Sequence, residues 1–187
     1  MLMSNVEIEE FVNEREILLE PFEVGNLGPD SIDIRLGGKL LIAKKVDRII
    51  DPKNGMDMEF DEYDLEKGPY ALKAGEFALG TTLERIGLSN KVTAQLEGRS
   101  SIGRLGIIIH MTAGLVHAGW GYKKPSTLTL EMSSVNPNPV YLHHGMKIAQ
   151  LSFMRHGRPP ANGYDDNPNS KYSAQLGPLP SKIHKDY

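Results

Sequence analysis

Between residues 31 and 38 the chain reads SIDIRLGG. Ile32, Ile34 and Leu36 fall on one side of an extended backbone, and Ser31, Asp33 and Arg35 on the other. Period-two alternation of this kind marks a half-buried strand. The same reading covers FALGTTLERIGL (77–88), KVTAQLEG (91–98), LGIIIHMTAGLV (105–116), STLTLEMSSV (126–135) and MKIAQLSFM (146–154). The turn words PKNG, EKGP, LKAGE, NPNP and HHG separate these segments, drawing on 19 glycines and 12 prolines. Many short strands with such punctuation and little helix lead to a mostly-β sandwich, jelly roll or barrel. One helix is expected at the start: Ser4-x-x-Glu7 spells a capping box, Met3 and Ile8 stand where a hydrophobic staple belongs, and the helix runs to about Glu14.

Two stretches depart from the strand pattern. Residues 51–69 are acidic and turn-rich and read as a surface excursion. The last stretch, GRPPANGYDDNPNSKYSAQLGPLPSKIHKDY, carries too few large apolar residues for a core. It reads as a disordered tail or as an arm that orders on something. At 187 residues the chain suffices for one domain with a substantial core.

Composition narrows the chemistry. A net charge of −3 supplies no general attraction for nucleic acid, so any anionic ligand must be drawn by local Arg and Lys. The chain has no cysteine, which excludes disulfides, thiolate catalysis and every zinc site that needs Cys. No H-x-E occurs, so the zinc deaminase signature is absent. The acidic start does not suit a signal peptide, and no apolar run approaches the ~18 residues of a membrane helix. A cytoplasmic protein without membrane partners is the expectation.

Two motifs carry candidate chemistry. In EGRSSIGRLG (97–106), Ser100 or Ser101 can begin a short helical turn, which puts Ser100 and Arg104 on one face. Arg99 and Arg104 supply fork-shaped donors for phosphate oxygens, and the free amides of such a turn suit an anion. The competing reading is a capped turn with solvated arginines. In STLTLEMSSV, Leu128, Leu130 and Met132 form an apolar face, which leaves Glu131 in mid-strand among Thr127, Thr129 and Ser133. A carboxylate there is either a solvent-facing edge residue or an acid/base group facing a pocket. His110, after three isoleucines, reads as a satisfied residue at the core's edge.

EGRSSIGRLG, followed in order by HMTAG, GW, LTLE, GMKIAQLSF and SKYSAQLGP, resembles the dCTP deaminase branch of the dUTPase-like superfamily. LLEPFEVGNLGPDSIDIRLG and LKAGEFALGTTLE extend the likeness over nearly the whole chain. The resemblance implies a distorted β-barrel or jelly-roll-like (β-clip) subunit with a few short helices. It also implies a homotrimer with sites where subunits meet, and dCTP as substrate with Mg2+ carried on its triphosphate and no zinc. On this likeness, residues 1–163 form the deaminase domain and 164–187 an arm closing over the substrate. Glu131 matches the catalytic acid/base, and Ser100 and Arg104 the pair ordering the water and the pyrimidine edge. Arg99, Ser101, Ile102 and Gly103 match phosphate and sugar contacts. Thr129 and Leu130 match the strand that meets the base; Gln150, Tyr164, Lys171 and Gln175 match further substrate contacts. Some members also release dUMP and pyrophosphate, and Gly103, Gly114 and SKYSAQLGPLPS fit that branch. His117 stands where the family reads the Asp that holds the deoxyribose 3′-hydroxyl, and the hairpin after it is longer than usual. A dUTPase-type pyrophosphatase and a non-catalytic nucleotide-binding trimer are the alternatives.

Overall fold

A computed structural model describes residues 1–53 and 58–187. The N-terminal helix α1 (Asn5–Asn13) begins as its sequence predicts. The Ser4 side chain accepts from the Glu7 amide, the Glu7 carboxylate accepts from the Ser4 amide, and Met3 and Ile8 are both buried. Thirteen strands follow among the described residues. They are β1 (Ile17–Glu20), β2 (Ile32–Arg35), β3 (Lys39–Ala43), β4 (Phe60–Asp64), β5 (Tyr70–Leu72), β6 (Phe77–Thr81), β7 (Arg85–Leu88), β8 (Val92–Gly98), β9 (Ile107–Ile108), β10 (Leu115–Val116), β11 (Thr129–Ser134), β12 (Val140–Leu142) and β13 (Lys147–Arg155). A one-turn helix α2 (Ser100–Gly103) lies between β8 and β9.

The strands form antiparallel sheets. One has the order β10-β8-β13-β2 and another β4-β3-β6-β11-β9; the pairs β1-β7 and β12-β5 complete the set. The two larger sheets share one apolar core. Ile34 and Leu36, Leu40, Leu130 and Met132, and Ile148, Leu151 and Phe153 are all fully buried in it. Alternation works as expected on β2 and β11, where one face enters the core and the other is left for polar residues; a register shift interrupts it on β13, and β6 is buried on both faces.

Three strand readings are corrected. FALGTTLERIGL is not one strand: it turns after Thr81 and gives β6 to the five-stranded sheet and β7 to the pair with β1. Thr82 Oγ1 bridges the corner, donating to the Glu84 carbonyl and accepting from the Leu128 amide. LGIIIHMTAGLV is likewise broken. Only β9 and β10 pair, at the edges of different sheets, and the residues between them cross from one sheet to the other. Within the expected excursion at 51–69, Phe60–Asp64 is strand β4, paired with β3 from Lys39↔Asp64 to Ala43↔Phe60. Its acidic residues suit an exposed sheet edge, where charge discourages pairing with other chains. Residues 54–57, with half of the PKNG turn, lie outside the described residues.

Beside the core, Arg35 and Glu84 form an ion pair backed by a backbone hydrogen bond. Glu84 Oε1 accepts from Arg35 Nε at 2.7 Å and Oε2 from the Arg35 amide at 2.9 Å, and Glu23 meets Arg35 Nη1 at 2.8 Å. The bond to Glu84 raises the guanidinium's pKa further. Glu84 is only 3% exposed. Removing one partner of a buried pair costs about 3–5 kcal/mol. A chain of this size loses roughly 2–4 °C of Tm per kcal/mol. Glu84→Ala is thus expected to lower Tm by roughly 10 °C; calorimetry reads it, and an unchanged Tm contradicts a structural role for the pair.

Candidate active site

β11 carries the carboxylate. Leu130 and Met132 point into the core, so Thr129, Glu131 and Ser133 take the opposite face, where they are half-buried. β6 flanks the strand on one side, with Glu131 opposite Leu79, and β9 on the other, with Ser133 opposite Ile108. Beyond Ile108 the chain leaves the ladder but stays bound to Glu131. The Glu131 amide donates to the Ile109 carbonyl at 3.1 Å, and Glu131 Oε2 accepts from the Met111 amide at 2.9 Å. One carboxylate oxygen is thereby fixed. The other, Oε1, has no protein hydrogen bond among the described residues.

The Ser/Arg motif forms α2, whose first helical residue is Ser100. Its N-cap is Arg99, with extended backbone and no side-chain cap bond, rather than either serine. The serine hydroxyls are therefore not spent on capping. The Arg104 amide donates to the Ser100 carbonyl at 3.0 Å, which stacks residues 100 and 104 one turn apart as the spacing predicts. Ser100, Ser101, Gly103 and Arg104 are exposed. The Ile102 side chain is buried, as is that of Leu130, so these two have only backbone to offer a ligand.

A cleft of about 400 Å³ brings together Arg99, Ser100, Gly103 and Gln150 beneath residues 107–110. Those residues belong to the segment clipped to Glu131, so the carboxylate and the cleft are mechanically joined. Within one chain no hydrogen bond links Glu131 to Ser100 or Arg104 among the described residues. His110 lines the same cleft. Its Nε2 lies 3.8 Å from a Glu97 carboxylate oxygen, and its Nδ1 is buried without a partner, which corrects the reading of a satisfied histidine.

A larger cavity of about 1000 Å³ takes His117, Tyr164 and Lys171. His117 and Tyr164 stack in parallel, with centroids 5.9 Å apart and planes at 7°. The C-terminal arm enters here. Gly119 has φ +79°, and a Cβ on it would lie 2.4 Å from Gly163 Cα. Only glycines permit this crossing, which lets the Tyr164 amide reach the Ala118 carbonyl at 2.8 Å. Lys123 pairs with Asp166 at 2.5 Å and, with the Gly163 amide, holds the Asp166 carboxyl below the usual range. Lys171 is paired with Asp186.

Farther along, the arm docks on β11's approach. The Thr127 amide donates to the Gln175 carbonyl at 3.0 Å, and Gln175 Nε2 donates to the Thr127 carbonyl at 2.5 Å and to Thr129 Oγ1 at 3.2 Å. Gln175 is 6% exposed, and its Oε1 and the Thr127 hydroxyl are both buried without partners. The Pro/Gly-rich end therefore orders on its own chain. Sequence reading gives His110 a different role and misses the Met111 amide and the Asp33 and Lys147 side chains beside Arg99, because strand pairing and loop packing alone bring them to the site.

A family model described as dCTP deaminase-like matches residues 2–156. The chain belongs to the dCTP deaminase-like family. Among relatives of this family, a protein of Dictyoglomus turgidum named "dCTP deaminase, dUMP-forming" is 38% identical over 100% of this chain and 97% of its own length. One of Aquifex aeolicus with the same name matches at 38%, over 100% and 97%. A "dCTP deaminase" of Natronomonas pharaonis is 36% identical over 100% and 96%. The crystal structure of 2′-deoxycytidine 5′-triphosphate deaminase from Agrobacterium tumefaciens superposes with a TM-score of 0.63 at 23% identity, covering 81% of this chain and 45% of that one. That last likeness supports the mostly-β architecture of the dCTP deaminase-like fold.

Proposed function

We propose that this chain is a hydrolase that deaminates dCTP to dUTP and ammonia. The observation that carries the reading is Glu131: a carboxylate on the polar face of a core strand, with one oxygen held by the Met111 amide and the other open. The open oxygen takes a proton from water as the water oxygen bonds to C4 of cytosine. Glu131 passes that proton to N3; it then takes the second proton, from the hydroxyl now on C4, and gives it to the 4-amino group, so that the C4–N4 bond breaks and ammonia leaves as the C4 carbonyl forms. Ser100 and Arg104 order the water and the edge of the base. A neighbouring copy in a homotrimer supplies them to Glu131, as the family resemblance implies. Thr129, backbone from Leu130 and Gln150 meet the base; Arg99, Ser101 and the backbone through Ile102 and Gly103 meet sugar and phosphates; His117 faces the deoxyribose.

Residues 164–187 serve as the closing arm. Tyr164, Lys171 and Gln175 shield the triphosphate from water. Among the described residues no three His, Asp or Glu side chains converge on a cation position. Magnesium enters with the substrate, chelated by its phosphates. We place the reaction in the cytoplasm, where deoxynucleotides are made; no helix among the described residues is long and apolar enough to cross a membrane.

Incubation with magnesium and dCTP or dUTP tests this. Ammonia with stoichiometric dUTP supports deamination. dUMP formed only from dUTP identifies a pyrophosphatase, and no turnover identifies a binding protein; either result contradicts the proposal. The dUMP-forming activity in the names of the Dictyoglomus and Aquifex relatives favours a second reading, in which dCTP goes on to dUMP and pyrophosphate. His117, stacked on Tyr164 where the family carries an acceptor Asp, weighs against efficient cleavage. His117→Asp is expected to raise the dUMP share of product, read by chromatography. An unchanged share removes His117 from control of that step.

A further inference from the structure

Arg99 does not hang free over the cleft. Its Nε meets Asp33 Oδ1 at 2.8 Å, and its Nη1 donates to the Lys147 carbonyl at 3.3 Å. The other Asp33 oxygen meets Lys147 Nζ at 3.2 Å. One carboxylate thus bridges two cations that arrive from different elements.

The strand register explains how they meet. On β2, residues 33 and 35 share the face turned away from the core. Gln150 of β13 is opposite Asp33, and Lys147 is opposite Arg35. Residues 147 and 150 are three apart, so in a regular strand they would face opposite ways. The register shifts by one residue between Lys147 and Ala149, and Ile148 and Ala149 are buried in succession. This bulge brings Lys147 onto the face of Asp33 and Gln150, next to the cleft that Arg99, Ser100 and Gln150 line. Charged side chains are costly to crowd, and Asp33 offsets the repulsion between Arg99 and Lys147. Nη2 of Arg99 and the remaining ammonium protons of Lys147 stay available, since the two side chains keep 30% and 38% of their exposure.

We propose that Lys147 is a further contact for the substrate's phosphates, and that Asp33 is the positioning residue that holds Lys147 and Arg99 side by side as a two-cation clamp. This rests on the reading of the cleft as a deoxynucleoside triphosphate site.

The probe is inorganic tripolyphosphate with magnesium, titrated into the full chain by calorimetry, beside steady-state kinetics with dCTP, dCDP and dCMP. Lys147→Met is expected to weaken tripolyphosphate binding about tenfold, the range of one charge-assisted hydrogen bond, and Lys147→Arg to restore most of it. Asp33→Asn is expected to raise KM for dCTP by a similar factor, with a much smaller effect on kcat and on the KM of dCMP. Asp33→Glu recovers part of the loss. A structural defect would lower kcat for all three nucleotides alike, and that pattern overturns the positioning role. Should Asp33→Asn fail to fold, Lys147→Met and Lys147→Arg decide the question alone. Unchanged tripolyphosphate binding in Lys147→Met overturns the clamp, as does wild-type protein that does not bind the probe. Binding that depends on Lys147 in a protein that releases no ammonia would leave the clamp standing and refute deamination instead.

Discussion

Glu131→Gln is expected to lower kcat for ammonia release by about 10³-fold, within the 10²–10⁴ range for loss of a general acid/base. The amide is isosteric with the carboxylate, so its oxygen can still accept from the Met111 amide and the 109–111 segment keeps its place. What disappears is the capacity to take a proton from water and deliver it to N3 and N4. Affinity for dCTP, measured by calorimetry, is therefore expected to stay within about threefold of wild type, since binding and proton transfer are separate tasks. Near-normal turnover in this variant would remove Glu131 from the chemistry. Loss of both binding and Tm would show that the residue matters only as a clip for the neighbouring loop.

Truncation after Gly163 is the second large effect. It removes the Tyr164 ring from His117, the pairing of Gln175 with Thr127, and the Lys123–Asp166 ion pair. The core strands lose almost no apolar support, because Tyr164 is the arm's one residue packed against the core among those described. We expect kcat/KM for dCTP to fall by about 10²-fold, the size of effect that follows from losing substrate alignment and water exclusion. Tm is expected to fall by only a few degrees, about 1–2 kcal/mol for a chain of this length. Global unfolding of the truncated chain would instead make the arm a part of the fold. Unaltered kinetics would mean that the arm does not close over the substrate.

The amino-acid sequence makes the local part of this fold legible and leaves the tertiary part hidden. Ile32, Ile34, Leu130 and Met132 could be assigned to the core, and Glu131 to the opposite face, because side-chain direction along a strand is a local matter of period two. Ser4 and Glu7 could be assigned to a helix start for the same reason: cap and partner are three residues apart. β4 was hidden because Phe60–Asp64 is mostly acidic, and its strand identity comes from pairing with β3 rather than from its own composition. The break in residues 105–116 was hidden because its apolar run continues through a change of sheet; the Glu131 bonds to Ile109 and Met111 hold that break open. Asp33, Arg99 and Lys147 meet across long sequence separations, with a bulge deciding the face, and alternation alone assigns Lys147 to the wrong side. Family resemblance names Gln175, but its docking onto Thr127 and Thr129 is a tertiary fact.

A crystal structure with magnesium and a dCTP analogue that resists deamination measures the decisive distance. The expected result is an oligomer in which the free oxygen of Glu131 lies within hydrogen-bond reach of cytosine N3 or N4, with Ser100 and Arg104 of a neighbouring copy at the same base. A map in which Glu131 faces bulk water while the nucleotide sits elsewhere would contradict it.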